Sequence, residues 1–110
     1  MSNVNNNLLR GSLELLILKA LSLEPLHGVG IAQRIHQITK ESFQISFGSL
    51  FPALHRMEER GWLEAEWTET EQNRRAKYYR ITKTGQKQLG IETREWERVV
   101  KAVNAALRSS

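Results

Sequence analysis

Residues 46–82 carry the sequence SFGSLFPALHRMEERGWLEAEWTETEQNRRAKYYRIT, in which the spacing of the apolar residues changes at Gly61. Before Gly61, Leu50, Leu54 and Met57 lie on one stripe of a helix, and Gly61 itself suits a left-handed C-cap. After it, two aromatic and β-branched runs flank a polar, charged linker, which predicts a β-hairpin with a long tip. The stretch therefore predicts a helix followed directly by a hairpin.

The start of this helix has two candidate N-caps, Ser46 and Ser49. If Ser46 is the N-cap, Pro52 lies in the second turn and one backbone hydrogen bond is lost. If Ser49 is the N-cap, Pro52 lies in the first turn without that loss. Both serines are also candidate phosphate ligands, because the free N–H groups and the dipole at a helix N-terminus attract anions.

Two further helices are predicted before residue 46. The segment 12–23 is rich in leucine, which predicts a largely buried helix that ends before Pro25. The segment 29–38 predicts a second helix, because its isoleucines recur at helical spacing on one face. The predicted order is therefore three helices followed by two strands.

A fourth helix is predicted from about residue 83 to residue 108, with Thr82 as its N-cap. At 1.5 Å per residue it is about 39 Å long, which is more than a domain of this size needs. Its apolar side chains form a stripe that one small core does not cover, so we expect a second copy of the chain to cover it. The predicted dimer interface comprises Leu89, Trp96, Val99, Val100, Val103 and Leu107.

The composition limits the classes of protein to which the chain can belong. Its 110 residues suffice for one modest core, and 40% apolar with 25% charged residues is usual for a globular domain. The sequence contains neither Asp nor Cys, which excludes a disulfide framework, a thiolate metal site and Ser-His-Asp or Cys-His catalysis. We therefore expect a protein that is not an enzyme and that holds no cofactor and no metal.

The first residues predict neither a signal peptide nor a membrane anchor. Residues 1–7 are polar, include four Asn, and are expected to form a disordered arm. No run approaches the roughly 18 to 20 apolar residues of a membrane span. We expect a cytoplasmic protein without a membrane partner.

The charges of the hairpin region are divided between two neighbouring segments. Residues 57–71 hold six carboxylates and one cation, whereas residues 72–87 hold six cations and no acid. Such a run is often only a solvated face. Here, however, Arg74, Arg75 and Lys77 fall at or beside the predicted hairpin tip, where flexible cations can neutralise DNA phosphates.

Three helices followed by a two-stranded hairpin is the element order of a winged helix-turn-helix. In that fold the third helix enters the major groove of DNA, and the wing contacts the flanking backbone or the minor groove. The predicted fold class is mainly α (α+β), with a DNA-binding domain at residues 8–82 and a dimerisation helix at residues 83–110. Arg56 could then pair with guanine, and either Tyr78 or Tyr79 could reach a phosphate while the other packs inward.

Three strings of residues resemble the PadR family of bacterial transcriptional regulators. They are LHG at residues 26–28, GSLFPALHRMEERG at residues 48–61 and RRAKYYRITKTG at residues 74–85. The resemblance covers about residues 9–108 and implies a winged helix that dimerises through its C-terminal helix. It also implies repression of promoters until a small molecule or a stress signal releases the DNA. The single C-terminal helix is similar to the compact branch of the family.

Two positions depart from the usual pattern of that family, since Val29 and Phe51 stand where tyrosine is usual. Phe51 lacks the hydroxyl with which a tyrosine could donate to phosphate. Fold and resemblance together give the following predicted DNA contacts: Ser46, Gly48, Ser49, Phe51, Pro52, His55, Arg56, Arg74, Arg75, Lys77 and Tyr79.

The predicted function is that of a sequence-specific repressor that binds double-stranded DNA as a homodimer on a pseudo-palindromic operator. Trp96 is either the largest side chain of the dimer interface or, as the resemblance to compact relatives implies, the wall of a cavity for a planar aromatic effector. The alternative is a winged-helix module that binds proteins rather than specific DNA. Such a module has no need for three cations at the wing.

Overall fold

A computed structural model describes residues 12–110 of the chain. The predicted arm at residues 1–7 lies outside the described residues. In chain order the elements are α1 (Leu13–Leu21), β1 (Leu26–His27), α2 (Gly28–Ile38), α3 (Phe47–Glu59), β2 (Leu63–Glu69), β3 (Arg75–Ile81) and α4 (Lys83–Arg108). The predicted fold, three helices followed by a hairpin and a long helix, is confirmed.

The core lies where α1, α2 and α3 meet the base of the hairpin. Its buried apolar side chains are Leu13, Ile17, Leu18, Ala20, Leu21, Ile31, Ile35, Ile45, Leu50, Ala53, Leu54, Met57, Leu63 and Tyr79. Each large side chain of this kind stabilises the fold by about 1.5 to 3 kcal/mol relative to exposure. Ile38 shares the predicted isoleucine face of α2 but is exposed, because it lies in the last turn.

The hairpin of β2 and β3 is extended by a short third strand, in the order β1-β3-β2. β1 pairs antiparallel with β3 through Leu26↔Tyr79 and His27↔Tyr78. The sequence predicted only two strands, because a two-residue strand beside a proline carries no recognisable periodicity. The extra strand connects the start of α2 to the wing through backbone hydrogen bonds.

The structure selects Ser46 as the N-cap of α3. The Ser46 Oγ accepts the N–H of Ser49 at 3.2 Å, and Pro52 lies inside the helix. Pro52 cannot donate to the carbonyl of Gly48, so one helical hydrogen bond is missing there. Both residues are exposed, so water can satisfy the carbonyl and the loss is small.

The long helix α4 begins and ends where the sequence predicted. Thr82 caps it, with its Oγ1 accepting the N–H of Gly85 at 3.0 Å. Leu89 is half-buried and packs against the core of its own chain, so only part of its side chain is left for the predicted dimer interface. α4 continues beside α1 as far as Trp96 and Val99, which share a cavity with Leu15, and its remaining turns project from the core. With α4 included, the molecule is 61 Å long in its largest dimension. Within residues 12–110, no helix has both the length and the hydropathy needed to cross a membrane.

Candidate nucleic-acid interface

The third helix, α3, turns one face to the core and the opposite face to solvent. The buried face consists of Leu50, Ala53, Leu54 and Met57. The exposed face consists of Gly48, Phe51, Pro52, His55 and Glu59. On it, His55 Nε2 lies 3.5 Å from Glu59 Oε1, one turn further along. Most of the predicted DNA contacts of α3 therefore share one accessible surface.

The N-terminus of α3 combines a serine cap with an open glycine. The Ser46 hydroxyl donates to Ser49 Oγ at 3.2 Å in addition to accepting the Ser49 N–H. A Cβ built at Gly48 would meet only the Ser46 Oγ, at 3.9 Å. The fold itself therefore does not require glycine at position 48, which favours a role in close approach to a partner.

Phe51 is held between α3 and the start of α2. A Cβ built at Gly28 would lie 2.7 Å from Cε1 and Cζ of the Phe51 ring, so the ring rests directly on the Gly28 backbone. The Phe47 ring lies 5.7 Å from it, centroid to centroid. Phe47 is 50% exposed and Phe51 44% exposed. The sequence analysis did not include Phe47 among the candidate DNA contacts. Its position in the first turn of α3 could have indicated that it lies on the exposed face of the helix.

Arg56 lies on the flank of α3 that faces α1. Its Nε is 3.6 Å from Glu14 Oε2, and Arg60 Nη1 is 3.2 Å from both oxygens of the same carboxylate. The predicted pairing of Arg56 with guanine would therefore require the guanidinium to leave Glu14. Glu14 was not a candidate from sequence, because nothing local connects it to α3.

The tip of the wing is a closed turn that exposes two arginines. Thr70 N–H donates to the Arg74 carbonyl at 2.7 Å, and Asn73 N–H donates to the Thr70 carbonyl at 3.0 Å. Asn73 takes the left-handed conformation, with φ of 59°, which asparagine tolerates better than most residues. Arg74 and the first residue of β3, Arg75, are both exposed at this tip.

Trp67 supports Arg75 on the α3-facing side of the hairpin. The Arg75 guanidinium carbon lies 5.3 Å from the centroid of the Trp67 ring, a cation–π arrangement. Trp67 is 57% exposed. Trp67 follows Leu63 and Ala65 at a spacing of two residues, which places it on the same inner face of β2, yet it lies too far along the hairpin for the core to cover it. Sequence reasoning counted it only as a strand former.

Lys77 lies between the wing and α3 and does not reach the tip. Its Nζ donates to Glu58 Oε1 at 3.2 Å and lies 5.3 Å from the centroid of the Tyr79 ring. Partial burial lowers the pKa of Lys77, but the hydrogen bond to Glu58 and the attraction of Tyr79 and Glu58 for the ammonium raise it more. The net pKa is above its ordinary value. Lys77 thus joins the wing to α3 as a charged link.

The two tyrosines of β3 face opposite sides of the sheet. Tyr79 is 5% exposed and belongs to the core, so packing leaves very little of its side chain accessible for the predicted DNA contact. Tyr78 packs edge-on against His27, with ring centroids 5.4 Å apart. This choice was open from sequence, and the tertiary packing decides it.

The three histidines show no arrangement suited to a metal. His27 caps α2, with its Nδ1 accepting the Gly30 N–H at 2.9 Å, and His55 pairs with Glu59. Among residues 12–110, no three side chains of the metal-binding types come together in a group.

The second half of α4 carries an apolar stripe that its own chain leaves exposed. The stripe consists of Trp96, Val99, Val100, Val103 and Leu107, with exposed fractions from 38% to 77%. Trp96 and Val99 line a shallow cavity of about 160 Å³ together with Leu15, Glu92 and Glu95. The stripe begins where α4 leaves α1 and continues to the end of the helix.

Residues 17–91 match the profile of a protein family described as the transcriptional regulator PadR-like family. The matched residues extend from α1 into the first part of α4. An uncharacterized protein X of Lysinibacillus sphaericus is 31% identical to this chain over 101 residues. That alignment covers 92% of this chain and 93% of the relative.

Solved structures of bacterial regulators share the fold. A transcriptional regulator from Clostridium thermocellum is similar with a TM-score of 0.82 at 30% identity, over 90% of this chain and 96% of that one. A PadR-like transcriptional regulator from Bacillus cereus is similar with a TM-score of 0.80 at 29% identity, over 94% of this chain and 99% of that one. A PadR family transcriptional regulator from Eggerthella lenta is similar with a TM-score of 0.82 at 28% identity, over 96% of this chain and 89% of that one. The likeness therefore extends well beyond the hairpin.

Proposed function

Because the chain belongs to the PadR-like family of DNA-binding transcriptional regulators, we propose that it is a homodimeric repressor of a pseudo-palindromic operator, released by a small molecule. The observation that supports specific DNA binding best is the combination of an exposed α3 face with Arg74 and Arg75 exposed at the wing tip. A helix of this kind fits the major groove, while the wing reaches the neighbouring backbone. Since the target is chromosomal DNA, the proposed place of action is the cytoplasm.

In the proposed complex, contacts divide into those that position the protein and those that read sequence. Arg74 and Arg75 neutralise phosphates. At the start of α3 the Ser49 hydroxyl donates to a phosphate, and the Ser46 hydroxyl does so once it turns away from Ser49 Oγ. The groove-facing residues are Gly48, Phe51, Pro52 and His55. Arg56 contacts DNA only after its guanidinium has left the Glu14 carboxylate.

The proposed dimer forms through the apolar stripe of α4. Five large side chains left exposed on one helix are an aggregation liability unless another surface covers them. A second copy of α4 offers the same stripe, as a two-fold interface requires. Two copies would place two α3 helices roughly 34 to 36 Å apart, the spacing of successive major grooves.

The proposed effector site includes Trp96. The cavity beside it is about 160 Å³ within one chain, whereas sites for drug-sized ligands are typically about 300 to 1,000 Å³. A ligand would therefore need walls from both subunits. The exposed Trp96 ring offers a surface on which a planar aromatic molecule can stack at the dimer interface. Displacement of the two helices by such a ligand would change the distance between the two α3 helices and release the operator.

Selection of duplexes from a random pool by the purified full chain tests the proposal. The expected result is an enriched sequence with two inverted half-sites separated by about one helical turn. Sedimentation at low micromolar concentration should give a dimer. A pool without an enriched sequence would refute the repressor and favour the alternative, a winged-helix module that binds proteins.

A further inference from the structure

Phe47 and Phe51 form an exposed pair of aromatic rings on the first two turns of α3. We call them the Phe pair. Their ring centroids are 5.7 Å apart, and about half of each side chain is accessible to solvent. The pair adjoins Gly48 and Pro52, so this end of α3 presents a continuous apolar surface. Nothing in the fold covers it among residues 12–110.

Within the Phe pair, the position of the Phe51 ring is fixed by its surroundings, and Phe47 packs against that ring. Phe51 rests on the backbone of Gly28, where even a methyl group would overlap the ring. Leu50 and Leu54, which flank Phe51 on the inner side, are fully buried, so the ring cannot fold inward without displacing the core. A partner therefore meets a preformed apolar surface.

The polar side chains near the Phe pair are mostly engaged within the chain. Arg56 and Arg60 both contact Glu14, His55 pairs with Glu59, and Ser46 caps the helix. Few donors are thus left to recognise the hydrogen-bonding edges of bases. The group that α3 offers most freely to the major groove is an aromatic surface.

Among base edges in the major groove, the thymine C5-methyl group is the apolar feature that such a surface can recognise. We propose that Phe47 and Phe51 bind thymine methyl groups, so that each operator half-site carries thymine where the N-terminal half of α3 enters the groove. This inference rests on the proposed function, and it names the base chemistry that the same helix reads.

The test replaces single thymines of the selected operator by 2′-deoxyuridine. This change removes only the methyl group and leaves every hydrogen-bonding group in place. Burial of one methyl-sized group changes an equilibrium by about fourfold. We expect affinity to fall about fourfold at one or two thymines of each half-site and to be unchanged at thymines elsewhere.

Variants then assign the effect to the Phe pair. In Phe47→Ala and Phe51→Ala, the deoxyuridine penalty should disappear at the thymine that each ring contacts, although overall affinity is lower. Phe47→Ala does not touch the Gly28 contact, so it tests the pair even if Phe51→Ala perturbs α2. The matched control is Leu23→Ala, which removes an exposed apolar side chain from the loop after α1 and should keep the full penalty.

The outcomes separate this inference from the proposed function. An enriched operator whose affinity does not respond to deoxyuridine at any thymine would overturn the thymine contact and leave the repressor intact. A penalty of unchanged size in both phenylalanine variants would also overturn it. If no sequence is enriched at all, both the inference and the proposed function fail.

Discussion

Gly85 lies directly against the backbone carbonyl of Trp62, so that a Cβ built at residue 85 would be 2.2 Å from the Trp62 oxygen. The same oxygen accepts the Thr82 N–H at 3.0 Å, and the Thr82 hydroxyl donates to the neighbouring Gly61 carbonyl at 2.6 Å. This contact joins the first residues of the wing to the first turn of α4. It therefore sets the direction in which the proposed dimerisation helix leaves the DNA-binding domain.

Gly85→Ala should destabilise the fold, because the new methyl group meets backbone that cannot move alone. Overpacking of this kind costs about 1 to 3 kcal/mol, and a contact with main chain belongs at the upper end. Gly90→Ala is the matched control, since its Cβ would meet only the flexible end of Arg94 at 3.5 Å. That change should be neutral or stabilise α4 by about 0.5 to 1 kcal/mol. Equal urea midpoints for both variants would contradict the proposed junction.

Gly48→Ala should separate stability from DNA binding. The added methyl group has open space and removes a helix-breaking residue, so thermal stability should rise by about 0.5 to 1 kcal/mol. If the backbone of α3 approaches DNA closely at this point, operator affinity should nevertheless fall. Thermal unfolding and operator titration on the same sample provide the check. Unchanged affinity would show that DNA does not approach residue 48.

Arg74→Ala combined with Arg75→Ala should weaken binding to every DNA sequence alike. Each lost phosphate contact should reduce the slope of log affinity against log salt by about 0.9. Lys77→Met serves as the comparison, because the Lys77 ammonium is bound to Glu58 and should change the slope less. If salt titrations give the double variant the same slope as the wild type, the wing tip does not contact DNA phosphates.

Glu14→Gln should strengthen DNA binding, because it releases Arg56 and Arg60 from a common carboxylate. The loss of stability should be small, at about 0.2 to 1 kcal/mol for each exposed ion pair. Arg56→Ala in the Glu14→Gln background should then abolish the gain. If the gain survives that second change, Arg56 is not the residue that Glu14 restrains.

Val103→Glu should break the proposed dimer, because it places a charge in the middle of the apolar stripe of α4. Lys101→Glu is the control, since residue 101 lies on the opposite side of the same helix. Sedimentation should show monomer for the first variant and dimer for the second. The affinity of Val103→Glu for the specific operator should also fall, because a monomer can contact only one of the two half-sites at a time. A wild-type chain that sediments as a monomer would contradict the whole assembly.

The sequence by itself determined the four helices and the hairpin. Each has a local signal that needs no distant partner, such as the apolar stripe of α3 or the caps at Thr82 and Gly61. The basic tip and the uncovered stripe of α4 could also be predicted, because charge runs and helical faces depend on neighbouring residues. These local signals suffice to predict the fold and the general position of the DNA-binding surface and of the dimer interface.

Only the tertiary structure decided which side chains of that interface are accessible. Tyr78 and Tyr79 differ by one position, and packing of β3 on the core buries the second. Glu14 and Arg60 are 46 positions apart, and Glu58 and Lys77 are 19 apart, so no local pattern predicts either ion pair. Such contacts depend on how helices and hairpin pack, and packing is a property of the whole core rather than of any one segment.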